Sequence, residues 1–144
     1  MSLHSFSNVW LHLIWATNNR DKVLLGNSAE VVSKFLFEYS KQKDIHMRTN
    51  FVNSDHVHVL IGFPTGITIE ECVKLFKGSS SHFINKERII PAKFSWGRGY
   101  GVFSVSPSNV EKVTKYIKNQ KEHHRVKSFS EEYELFLKKN IINY

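Results

Sequence analysis

IHMRTNFVNSDHVHVLI, running from Ile45 to Ile61, decides the architecture. Ile45 to Val52 reads as a β-strand, Asn53-Ser54-Asp55 as a tight turn, and His56 to Ile61 as a second strand, so the stretch forms a hairpin. Alternation sends His56 and His58 out of one face of that second strand, and Val57 and Val59 out of the other. Residues two apart on a strand are separated by roughly 6.6 Å, near enough for both imidazoles to converge on one ion. Imidazole is the commonest protein ligand for divalent ions, so the pair points to a metal site. Asp55, just before it, either orients an imidazole as an acceptor or closes the turn.

Working outward from the hairpin, Val9 to Thr17 is short, β-branched and aromatic, apolar on both faces, and reads as a central strand. His12 inside it suits a satisfied core histidine or one that supports a metal ligand. A helix capped by Asn27 or Ser28 runs to about Lys43, with Val31, Val32, Phe35, Leu36 and Tyr39 at helical spacing. Thr68 and Glu71 form a capping box for a further helix carrying Ile69, Val73, Leu75, Phe76, Phe83 and Ile84. Gly78-Ser79-Ser80-Ser81 is expected to interrupt it, as a bend or a polar contact face. Phe94 to Ser104 places Gly97, Gly99 and Gly101 at every second position. That leaves one strand face bare for close approach of another backbone or a ligand, or marks a glycine-rich turn. Ser106-Pro107 opens a helix from Ser108 to about His124, and a last helix spans Ser130 to Lys139 with Glu131 and Glu132 in its first turn. The order β, α, β, β, α, β, α, α predicts one α+β domain over residues 1–144. Its antiparallel sheet would have four or five strands, with helices mainly on one face, in a ferredoxin-like or RNA-recognition-like layout.

With 20 Lys and Arg against 13 acids, the chain carries a formal charge of +7, which favours a polyanionic partner, nucleic acid before anionic membrane. Cys72 is the only cysteine, so a disulfide within the chain is impossible; it reads as a small buried apolar residue, and a reducing cytoplasm is the simplest setting. No segment approaches the ~18 apolar residues needed to span a bilayer, and Met1 to Phe6 lacks the order of a signal peptide.

In the helix from Ser108, Tyr116 and Gln120 are four apart and share a face, while Val110, Val113 and Ile117 form a separate core stripe. A tyrosine hydroxyl can attack a phosphodiester, and an amide oxygen can complete a metal shell. Tyrosine is a poor nucleophile at its ordinary pKa of roughly 10 and needs help. An ion held by His56, His58 and Gln120 would supply it, leaving open positions for phosphate oxygens and water. Because Mg²⁺ prefers oxygen ligands, histidines suggest Mn²⁺ or tolerance of both. Lys77, Arg20, Lys22, Arg98, Lys112 and Lys115 are candidate contacts to a nucleic-acid backbone, or plain surface charge. His123 and His124 could add a ligand or a DNA contact, although exposed helix-end histidines are commoner; His46 and His82 are assigned to surface or core.

The pairing of His56-Val57-His58 with a later Tyr116-x-x-x-Gln120 resembles the single-tyrosine HUH transposases of the insertion-sequence-200/605 type. HLIWATNNR, WGRGYGVFSVS and KYIKNQKEHH extend the likeness over nearly the whole chain. The resemblance implies a homodimer that binds DNA hairpins at element ends and cuts single-stranded DNA. Tyr116 would form a 5′-phosphotyrosine and leave a 3′-hydroxyl for rejoining, with the active site shared between subunits. Two other functions fit parts of the pattern. A non-catalytic nucleic-acid-binding module predicts binding that survives both chelation and Tyr116→Phe. A metal-dependent nuclease using water predicts cleavage that survives Tyr116→Phe without a protein–DNA adduct. Zinc storage fits poorly with a lone cysteine.

Overall fold

A computed structural model describes residues 5–120 and 128–142. Strands β1 (Trp10–Ala16), β2 (His46–Val52), β3 (His56–Gly62) and β4 (Gly101–Val105) form one antiparallel sheet in the order β2-β3-β1-β4. With helices α1 (Asn27–Gln42) after β1 and α2 (Ile69–Lys86) after β3, this is the ferredoxin-like arrangement. Helices α3 (Val110–Lys118) and α4 (Phe129–Ile142) follow β4. The β2–β3 hairpin forms as expected, with a register irregularity between Met47 and Thr49.

Strand alternation divides the molecule. Leu11, Leu13, Trp15, Val57, Val59 and Ile61 face one way and pack with Val32 and Leu36 of α1 and Val73, Phe76 and Ile84 of α2 in the main core. The other face carries Leu60 and Val105, which α3 covers with Val110 and Ile117 in a smaller cluster. The two longest helices therefore take one face, and the histidines of β1 and β3 open on the other.

Several local expectations are corrected. Gly26, at φ 56°, occupies the α1 cap position without a side-chain cap, and Asn27 is already the first helical residue. Helix α2 is continuous through Gly78–Ser81, because Ser79, Ser80 and Ser81 return their hydroxyls to carbonyls of the preceding turn. Ser80 also accepts a hydrogen bond from Trp96 Nε1 at 2.9 Å, which makes this stretch a polar contact face. The glycine-rich segment is only partly strand. Trp96 bridges Thr17, Gly99 takes φ +81°, and β4 begins at Gly101. Close approach does occur: a Cβ on Gly97 would stand 3.1 Å from the Thr17 carbonyl oxygen, and one on Gly101 would stand 2.8 Å from the Tyr133 hydroxyl. The helix expected from Ser108 starts with a 3-10 turn at Pro107–Asn109, and α3 proper ends at Lys118. Lys121, His123 and His124 lie outside the described residues. No described helix is long and apolar enough to cross a membrane.

Candidate active site

The site is built on β3. His56 and His58 project from the same face of that strand, fully buried, with ring centroids 5.1 Å apart and planes at 76°. Asp55, itself buried, accepts from His56 Nδ1 at 2.6 Å, which leaves Nε2 as the nitrogen available to an ion. The Asp55 carbonyl also takes the Thr17 N–H at 2.9 Å, so the residue ties the β3 entry to the end of β1. Of the two roles expected for Asp55, contact with the ring is seen, whereas the turn itself is closed by the Asn53 N–H on the His56 carbonyl at 2.8 Å.

His58 is held from two sides. Its Nδ1 lies 2.9 Å from His12 Nε2, and its Nε2 lies 3.1 Å from Glu132 Oε1. With Glu132 as a carboxylate and His58 neutral, His58 Nε2 donates to Glu132 and Nδ1 accepts from His12. Were Nε2 given to a metal, the proton would have to sit on Nδ1 and His12 would become the acceptor. His12 can play either part, so it fixes the ring in both states. Burial, reinforced by the nearby His58 and opposed by Glu132, holds His12 well below the ordinary histidine pKa.

That depression sets a pH dependence. Unfolded His12 takes up a proton near pH 6.5 and the folded one does not, so stability is full above that pH and falls as the pH drops below it. The full slope for one such group is about 1.4 kcal/mol per pH unit. Urea unfolding of metal-free protein at pH 7.5 and 5.5 is expected to show the lower midpoint at pH 5.5. An unchanged midpoint would mean that His12 is protonated in the fold.

Tyr116 reaches this cluster from α3. Its ring centroid stands 6.1 Å from that of His58 and 6.4 Å from that of His12, and its hydroxyl donates to Glu132 Oε1 at 2.7 Å. The nucleophile candidate and a metal-ligand candidate therefore share one carboxylate oxygen. Burial, then the hydrogen bond to Glu132, push the phenol pKa upward, against a smaller opposing effect of Gln120. Gln120 is fully buried, and its Nε2 points back to the Tyr116 carbonyl at 3.4 Å. Tyr116 and Gln120 were expected off the core stripe. They instead face inward beside Val113 and Ile117, because the space over the histidines is enclosed by α4.

Glu132 is the residue that sequence reasoning missed. First-turn acids usually stabilise the helix dipole in solvent, as Glu131 does here, receiving the Ser128 hydroxyl at 3.2 Å. Glu132 is 5% exposed and shares its helix face with Phe136, whose ring packs against His12 at 5.2 Å and Tyr116 at 5.5 Å. The i, i+4 pairing of Glu132 with Phe136 was the available signal, and it is faint without knowing where α4 docks. His56, His58 and Glu132 place ligand atoms within 4.8 Å of one another, close enough for one ion to reach all three after a small closure.

The basic candidates part company. Lys77 Nζ donates to the Gly97 and Gly99 carbonyls at 2.8 and 3.0 Å, so this lysine holds the glycine loop, and its pKa is lowered by burial. Arg20 bonds the Ser130 hydroxyl at the start of α4, and with Arg98 it lines a cleft at the end of β1. Lys22, Lys112 and Lys115 are exposed. So are His46 and His82. Cys72 is buried, and burial lifts its thiol to about 11, which leaves it a packing residue.

Residues 5–120 match the model of the family described as "Transposase IS200 like". This chain belongs to the IS200-like transposases. The ISDra2 transposase TnpA of Deinococcus radiodurans is 30% identical over 115 residues, 76% of this chain and 81% of that protein. The transposase for insertion sequence element IS200 of Salmonella typhimurium is 26% identical over 129 residues, 85% and 84% of the two chains. Among solved structures, a putative transposase from D. radiodurans superposes with a TM-score of 0.66 at 27% identity, covering 83% of this chain and 96% of its own. A REP-associated tyrosine transposase bound to a REP hairpin superposes at 0.62 with 14% identity, over 86% and 74%. It shares the fold. The transposase is thus a DNA-processing protein, and its buried histidine cluster lies on the sheet face that α3 and α4 cover.

Proposed function

We propose that this transposase cleaves and rejoins single-stranded DNA at element ends through a 5′-phosphotyrosine on Tyr116, and that it recognises DNA hairpins there. One observation carries the reading: Tyr116 Oη, His58 Nε2 and Glu132 Oε1 meet at 2.7 and 3.1 Å beside His56. Tyr116 Oη attacks the scissile phosphorus, and the bond from phosphorus to the 3′-oxygen breaks. The phenolic proton passes to the Glu132 carboxylate, and the departing oxygen takes up a proton to become a 3′-hydroxyl. A 3′-hydroxyl then attacks the phosphotyrosine and restores a phosphodiester. The phosphotyrosine conserves the bond, so no nucleotide triphosphate is required.

A divalent ion, Mg²⁺ or Mn²⁺, would be held by His56 and His58, with Glu132 and Gln120 able to complete its shell; it would polarise the scissile phosphate. Asp55 and His12 orient the two imidazoles. Hairpin binding is supported by the REP hairpin held by a structural neighbour of the same fold and by the chain's charge of +7. The test is a denaturing gel of labelled single-stranded element ends with Mn²⁺ or Mg²⁺. A slow-migrating covalent band that disappears on chelation is expected; metal-dependent cutting without that band would point to a nuclease using water.

We propose further that the transposase acts as a homodimer with shared sites, as its resemblance to the single-tyrosine transposases implies. Tyr116 contacts His58 of its own chain, so exchange between subunits would replace that contact by an equivalent one. Mixing Tyr116→Phe and His56→Ala proteins, each inactive, should then restore the covalent band. Failure to recover it would place both halves of the site in one subunit.

A further inference from the structure

Beside the tyrosine, and bordered also by Glu132, lies a slot whose apolar walls the chemistry above does not use. It is a cavity of about 420 Å³ between β4, α3 and α4, within the ~300–1,000 Å³ usual for small-ligand clefts. Phe103 and Phe136 line it, with ring centroids 5.1 Å apart at 44°, and Val113 and Leu135 form its apolar sides. Tyr116 and His12 also border it. Leu135 is 47% exposed, so part of the slot's apolar wall is open to solvent. Lys112 and Lys139 are exposed at the mouth, and Ser106 and Asn109 add polar groups.

We propose that this slot receives one unpaired nucleobase of the DNA strand, that of the nucleotide adjoining the scissile phosphate. The inference rests on the reading of Tyr116 as nucleophile and adds to it a specificity pocket. Aromatic and aliphatic walls suit a flat heteroaromatic ring, and serine and asparagine at the mouth suit its polar edge. The two lysines answer the phosphates on either side of a base inserted between them. Tyr116 borders the same cavity, so a phosphate at its hydroxyl brings the neighbouring base to this opening. A duplex could not enter, because its bases are stacked and paired. The slot therefore gives a physical reason for single-stranded substrate.

The experiment removes bases one at a time. Single-stranded substrates carrying an abasic nucleotide at each position around the cleaved phosphate are compared with the intact strand, both for covalent adduct and for binding by fluorescence anisotropy. Stacking of one base on an aromatic side chain is worth between about five- and a hundred-fold in affinity. The wild-type protein is expected to lose about tenfold at one position next to the cleaved phosphate and little elsewhere. Phe103→Ala should bind intact and abasic strands within about twofold of each other. Leu135→Trp, at an exposed helix position, should fill the slot and reproduce that loss of discrimination without disturbing the fold. Wild-type protein that treats every abasic strand like the intact one overturns the proposal. A change of oligomeric state in Leu135→Trp with base discrimination intact also overturns it, because the face would then belong to a second copy. If no strand forms an adduct, the Tyr116 reading fails, and the anisotropy comparison still decides the slot.

Discussion

Tyr116→Phe is expected to bind single-stranded DNA as the unaltered protein does while forming no covalent adduct and cutting at least on the order of 10⁴-fold more slowly. The change removes one oxygen. The ring keeps its contacts with Phe136, His12 and His58, so α3 should stay seated. The hydrogen bond to Glu132 is lost, at a typical cost of about 1–2 kcal/mol, too little to unfold a domain of this size. The measurement is the denaturing gel with anisotropy alongside. Retained binding with no band supports the nucleophile role. Undiminished cleavage would transfer the chemistry to water and leave Tyr116 as packing. Unchanged binding with no cutting by either protein would favour a binding module.

How much of this could be read from the sequence depended on the range of the interaction. Strand alternation, the capping box at Thr68 and Glu71, and the Asn53–Asp55 turn are local, and each formed where expected. The ferredoxin-like sheet followed from element order, because that order leaves few ways to bury both histidine-strand faces. Strand periodicity put His56 and His58 on one face, whereas Tyr116 was tied to them by the family resemblance and not by its helix pattern. What escaped was set by docking at long range. Lys77 looks like a phosphate contact in the sequence, and only the fold brings the Gly97 and Gly99 carbonyls to its amine. Arg20 likewise meets Ser130, separated from it by 110 positions. The inward turn of Tyr116 and Gln120 depends on α4 lying over them. That helix shows little two-sidedness in its sequence, so nothing local announced that Glu132 would be buried.

Glu132→Gln separates what the carboxylate does for the fold from what it does for chemistry. The amide is nearly isosteric and can still accept from Tyr116, so α4 should remain docked. It is a far weaker metal ligand and proton acceptor. If Glu132 accepts the phenolic proton, cleavage should fall by about 10²–10⁴-fold. If it also completes the ion's shell, Mn²⁺ affinity should fall by roughly 10–100-fold, as when metal-supporting partners are removed. Both can be read on one preparation, by single-turnover cleavage and by Mn²⁺ titration with electron paramagnetic resonance. The upward push on the Tyr116 pKa gives the opposite outcome a definite meaning. In the metal-free protein, burial and the hydrogen bond to Glu132 favour the protonated phenol. Glu132 would then either take the proton during attack or restrain the hydroxyl until a phosphate displaces it. A rate that falls selects the first. A rate that rises in Glu132→Gln selects the second, and would make α4 a brake seated on the nucleophile.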